Sequence, residues 1–132
     1  YPGVANWLET VKEQARKEGY VTTLMNRRRY IADLNSTRAM ARAAAERIAV
    51  NTPVQGSAAD IIKIAMVRMA DELAQYPAQM LLQVHDELLV ETDADRAEEV
   101  AALMRSIMSK AAELRVPLKV DTGIGMNWAE IH

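Results

Sequence analysis

The chain has 132 residues, half of them apolar and 26% charged, with a formal net charge of −2 and no cysteine. Such a length supports about one soluble globular domain with a real core, and the lack of cysteine excludes disulfides and zinc–thiolate centres. No run approaches the ~18 apolar residues of a membrane span and no signal-peptide pattern opens the chain; a start at Tyr1 is what a piece of a longer protein would give.

The small net charge hides an asymmetry. Residues 27–47 hold six arginines (27, 28, 29, 38, 42 and 47) against Asp33 and Glu46. Residues 71–113 hold ten acids against three bases. The basic block suits a polyanion, whereas the acidic half carries an apolar stretch that reads as a β-hairpin.

In chain order, Pro2 fits a first helical turn, and Val4, Trp7, Leu8, Val11 and Ala15 follow helical spacing up to a stop at Gly19. Trp7 on that stripe is expected in the core. Tyr20–Met25 reads as a short strand leading into Arg27-Arg28-Arg29-Tyr30. Asn35 or Ser36 can cap an alanine-rich helix through Arg38, Arg42, Glu46 and Arg47, with Arg38 and Arg42 on one face. Asn51-Thr52-Pro53 marks a break, and a new helix is expected over Val54–Ala74, apolar on more than one side. Tyr76-Pro77 closes it. A helix from Asp93 or Asp95 carries Val100, Leu103, Met104, Ile107, Met108 and Ala111 on one face, and Leu118–Ile124 reads as a final strand. This order implies an α+β fold, with helices packed against a small antiparallel sheet made of a central β-hairpin and a C-terminal strand.

That hairpin is Leu81–Glu91, two apolar runs around His85-Asp86-Glu87. Two-residue hairpin turns favour Asn-Gly or Asp-Gly, which take positive φ easily. His-Asp breaks the rule, and a turn that breaks it is where strain is kept for function. Adjacent strand residues point to opposite faces, so Asp86 and Glu87 on a regular strand would not chelate one ion. At a turn that limit relaxes. Magnesium takes oxygen ligands, commonly one or two carboxylates with waters and phosphates, and a two-metal site needs carboxylates from separate elements. The tip alone supplies half of such a site; the plainer reading is a polar turn that meets water.

At these residues the chain resembles family A DNA polymerases, the bacterial DNA polymerase I type. Gln83-Val84-His85-Asp86-Glu87-Leu88 is similar to the family's third polymerase motif. Arg27-Arg28-Arg29-Tyr30, Ala44-Ala45-Glu46-Arg47 and Asn51-Thr52-Pro53-Val54-Gln55-Gly56-Ser57-Ala58-Ala59-Asp60 resemble the block before it. Gly123-Ile124-Gly125 and Asn127-Trp128 resemble the C-terminal end. The likeness runs in order along essentially the whole chain.

The resemblance implies a C-terminal part of a polymerase domain, with residues 1–50 as fingers-base helices and basic segment and 51–132 as palm, in one compact fragment. It implies that Asp86 is the second catalytic aspartate and a ligand of two Mg2+ ions, that Glu87 is a lesser catalytic acid, and that His85 lies near the primer terminus. Arg42, Arg47, Asn51 and Gln55 would touch primer-template DNA. Minor-groove acceptors are nearly independent of sequence, so such donors can check pair shape without selecting bases. The implied partners are primer-template DNA, deoxynucleoside triphosphates and the rest of the polymerase chain, with no membrane, in the cytoplasm of a bacterial or phage parent. Apolar surfaces left uncovered add self-association.

The first catalytic aspartate and the nucleotide-gripping fingers helix of the family have no counterpart in these residues, so the fragment alone is expected to be inactive. Two other readings compete. A non-catalytic nucleic-acid-binding module would use the arginine helix and be indifferent to Asp86. A carboxylate–metal hydrolase would need Asp60 or Asp93 to converge on Asp86.

Overall fold

The computed structural model describes residues 1–131. The elements are α1 (Pro2–Glu18), β1 (Tyr20–Thr22), β2 (Arg28–Tyr30), α2 (Ala39–Leu73), β3 (Ala78–Val84), β4 (Glu87–Thr92) and α3 (Ala97–Ser109), with 3-10 turns at Ala94–Arg96 and Trp128–Ile131. The fold is α+β, with two small antiparallel sheets, β1–β2 and β3–β4. The chain forms two compact units, Tyr1–Asp60 and Ile61–His132, and α2 supplies residues to each.

In the first unit, α1 ends where expected: Gly19 takes φ 78°, ψ 5°, and its N–H closes on Ala15 O at 2.8 Å. Only glycine enters that conformation without a Cβ penalty. Val11 and Ala15 on α1 pack with Val21, Ile31, Leu34, Ala45 and Ala49 to form the core. Trp7 is outside it, 39% exposed; only the C-terminal half of α1 contributes buried residues. The β1 strand is shorter than the sequence suggests, because Asn26 at φ 60° turns the chain back and the basic run becomes its partner, with Tyr20 opposite Tyr30 and Thr22 opposite Arg28.

The expected break at Pro53 does not occur, and α2 runs 35 residues with Pro53 inside it. An internal proline removes one ladder bond and crowds the carbonyl four residues earlier, at a cost of roughly 3 kcal/mol. Packing on both sides outweighs this. Ala45 and Ala49 are buried before the proline, and Thr52, Ser57 and Asp60 are buried polar residues at and after it. At the helix start, Ser36 Oγ accepts the Arg38 N–H at 3.2 Å, while Asn35 instead donates to Arg16 O at 3.2 Å.

The core of the second unit is built on Met69, Leu73 and Val100, against which Met80, Leu88, Val90, Leu103, Met104 and Ile107 pack. Met69 and Val100 are its fully buried large side chains, each stabilising by roughly 1.5–3 kcal/mol. Val100, Leu103, Met104 and Ile107 lie on the apolar face expected of α3, Met69 and Leu73 on one stripe of the wide apolar surface of α2, and Met80, Leu88 and Val90 come from the hairpin. Leu118–Ile124 is not a strand, so the C-terminal strand of the expected sheet is missing from the observed one. Lys119–Gly123 and the hairpin residues Leu82, Val84 and Leu88 instead line a common cavity of about 500 Å3. With a space of that size beside the segment, its backbone groups form no ladder, and Arg105 tethers it by a hydrogen bond to the Thr122 hydroxyl.

Candidate functional site

The hairpin tip is a two-residue turn. Val84 pairs with Glu87 and closes it, leaving His85 and Asp86 as the loop. His85 sits at φ 54° and Asp86 has no positive φ, the sign pattern of a type II′ rather than a type I′ turn. The first position of that turn favours glycine, so a histidine there carries strain on the order of 1 kcal/mol. Gln83 Nε2 donates to His85 O at 2.5 Å, a side-chain brace across the tip. Farther back, the register slips by one residue between Met80 and Leu82, leaving Leu81 as a bulge, and a bulge bends the strand and increases its twist.

The strict alternation of a strand would part the two acids, but the turn brings Asp86 and Glu87 to the wall of the same cavity. Both residues are exposed, as is His85. Their carboxylates are hard oxygen donors of the kind magnesium takes, so the chemistry of the pair fits one flank of such an ion. Among the described residues no group of three or more histidine or acidic side chains is gathered to hold a metal. Asp93 cannot complete the set, because it follows β4 at the end opposite the tip, on the order of 20 Å away at about 3.3 Å per residue. Asp60 is engaged elsewhere, accepting from Thr23 Oγ1 and from Arg27 Nε.

Because α2 passes unbroken through Asn51, Arg47, Asn51 and Gln55 stand four residues apart along one face. All three are exposed. Arg42 is half-buried and donates from Nη1 to Ser36 O at 2.9 Å. Close to this face in the first unit is a second cavity, of about 320 Å3, lined by Gln55 and Gly56 on α2 and by Thr23 and Arg27–Arg29. The guanidinium of Arg28 lies 4.6 Å from the centre of the Tyr20 ring. Its hydrogen bond to Tyr30 and the nearby phenols of Tyr20 and Tyr30 raise its pKa. Arg29 Nη1 donates to the neutral hydroxyl of Thr52 at 3.3 Å.

Of the polar residues that support this cavity, Thr23, Thr52 and Ser57 carry no functional signal of their own in the sequence, and Asp60 reads there only as an acid that a metal site would need to recruit. The one available signal is Gly56 inside a helix, which marks a close approach. A Cβ there would meet Thr23 Cγ2 at 2.7 Å.

The family model for DNA polymerase family A matches residues 1–130. The chain belongs to DNA polymerase family A. It is 54% identical over 128 residues to the thermostable DNA polymerase I of Thermus thermophilus, covering 97% of this chain and 15% of the relative. It is 48% identical to DNA polymerase I of Deinococcus radiodurans, covering 97% of this chain and 13% of the relative. Among solved structures it is similar to the POL domain of Pol1 from M. smegmatis in complex with DNA primer-template and dNTP, with a TM-score of 0.95 and 45% identity over 99% of this chain and 24% of that one. The chain thus spans about a seventh of the length of these curated relatives. No helix among the described residues is long and apolar enough to cross a membrane.

Proposed function

We propose that this chain is a palm and fingers-base portion of a DNA-dependent DNA polymerase that adds deoxynucleotides to a primer 3′ end by two-metal phosphoryl transfer. The observation that carries the reading is the His85-Asp86-Glu87 tip, with two acids on one cavity wall in a chain that matches family A over residues 1–130. Residues 1–50 would belong to the fingers base and 51–132 to the palm, in a bacterial or phage protein of the cytoplasm. Primer-template DNA and deoxynucleoside triphosphates are the proposed partners, in keeping with the complex named for the M. smegmatis relative.

Asp86 would hold Mg2+ through its carboxylate, with Glu87 adding negative charge beside it. Bound magnesium would lower the cost of deprotonating the primer 3′-hydroxyl and offset charge growing on the phosphate oxygens. His85, held at the apex by the turn, would face the primer terminus. Arg47, Asn51 and Gln55 would donate along one helix face to minor-groove acceptors, and Arg42 would add a contact with one guanidinium nitrogen already committed to Ser36. The tip draws both acids from a single element, so the 132 residues by themselves are expected not to extend a primer.

The test is Asp86→Asn in a family A polymerase chain carrying these residues. Primer extension should fall about a thousandfold, while duplex affinity stays within about twofold. Extension at the normal rate would mean that Asp86 is not a metal ligand, and unchanged DNA binding with no catalytic role would favour a purely DNA-binding module.

A further inference from the structure

We propose that Asp60 is a positioning residue for nucleic-acid binding: through Arg27 and Thr23 it locks the turn that presents Arg28 and Arg29 to a phosphodiester backbone. This rests on the DNA-binding reading above and assigns the three consecutive arginines different tasks.

The turn from β1 to β2 is held to α2 by a set of polar contacts. Asp60, 7% exposed, accepts from Thr23 Oγ1 at 2.5 Å and from Arg27 Nε at 2.8 Å. Arg27 Nη2 reaches Gly56 O at 3.3 Å. Thr23 Oγ1 also accepts the Arg27 backbone N–H at 3.2 Å, so one hydroxyl ties both ends of the turn to the same carboxylate. Leu24 N–H donates to Ser57 Oγ at 2.9 Å. A charge-assisted bond to a buried carboxylate is among the stronger ones available, and removal of one partner leaves the other unsatisfied.

Arg27 therefore has its charge answered within the protein. Arg28 and Arg29, in contact with an aromatic ring and a hydroxyl, keep theirs at the rim of the 320 Å3 cavity. Guanidinium forks of this kind match phosphate oxygens. The backbone of the turn fixes where Arg28 and Arg29 begin, and Asp60 fixes that backbone.

The experiment measures binding of the chain to a fluorescent primer-template duplex across a salt series, with the active fraction set by stoichiometric titration. Asp60→Asn removes one negative charge, so electrostatics alone predicts tighter binding. Positioning predicts binding about tenfold weaker and a shallower salt dependence, by about one counterion. Arg27→Ala, at a half-exposed side chain, should weaken binding to the same extent, and the double variant should bind no more weakly than either single one. Asp60→Glu, which keeps the carboxylate, should recover part of the loss. Asp60→Asn binding as tightly as the parent sequence, or losing affinity additively with Arg27→Ala, would overturn the role of Asp60 alone. No binding by the unsubstituted chain would overturn the DNA interface and this role with it.

Discussion

Two tight turns present the candidate functional residues of this chain, and they are held in opposite ways. Each has a non-glycine residue in the left-handed region, Asn26 at φ 60° in one and His85 at φ 54° in the other. The turn at Asn26 is cross-braced to a helix by Asp60, Ser57 and the Gly56 carbonyl. The tip at His85 stands at the end of its own ladder, with Gln83 bonded across it and exposed acids at its apex. A cationic surface can be finished locally, because each guanidinium is a complete donor for phosphate. A metal site cannot, because the ion asks for ligands from several directions.

The contrast can be broken most forcefully at the base of the hairpin. Met69 is fully buried beneath β3 and β4, so Met69→Ala should cost about 3 kcal/mol. Chemical denaturation should show that loss, and hydrogen exchange should show earlier opening of β3–β4 amides with those of β1–β2 little changed. Equal opening of both hairpins would mean that they share one support.

Gly56→Ala tests the braced turn. In an exposed helix alanine would stabilise by up to ~1 kcal/mol over glycine, but here its Cβ meets Thr23 Cγ2 at 2.7 Å while the Thr23 hydroxyl is bonded to Asp60. The expected outcome is a net destabilisation of about 1 kcal/mol in a thermal melt. A stabilised variant would show that the turn can lift away from α2 at little cost.

The smallest effect concerns Arg16 and Glu46, which join α1 to α2 at 2.6 Å. Their hydrogen bond holds the Glu46 carboxyl below its ordinary pKa. A depressed carboxyl pKa stabilises the fold above the unfolded value of about 4.3, and this is lost as pH falls through the folded value. Glu46→Gln should therefore flatten the acid side of the stability profile and leave Asp60 and its turn untouched. An unchanged slope between about pH 3 and 5 in acid titrations would remove this pair from the account.

Much of this was legible in the sequence because it depends on neighbours along the chain. Helical spacing marked α1 and α3, Gly19 marked a stop, and the apolar runs around His85-Asp86-Glu87 marked β3 and β4 with their tip. The same local signals misled where distant packing ruled: Pro53 reads as a break but lies inside α2, Trp7 reads as core but is exposed, and Leu118–Ile124 reads as a strand but has no ladder partner.

The sequence by itself therefore determined α1, α3 and the β3–β4 hairpin with its tip, and it pointed to the polymerase family, since periodicity, capping and motif spacing are properties of contiguous residues. Only the tertiary structure decided that Asp86 and Glu87 face one cavity and that Asp60 answers Arg27 rather than a metal ion. Those outcomes depend on where a turn aims its side chains and on which residue 33 positions away along the chain fills the space beside it, and no local pattern encodes either.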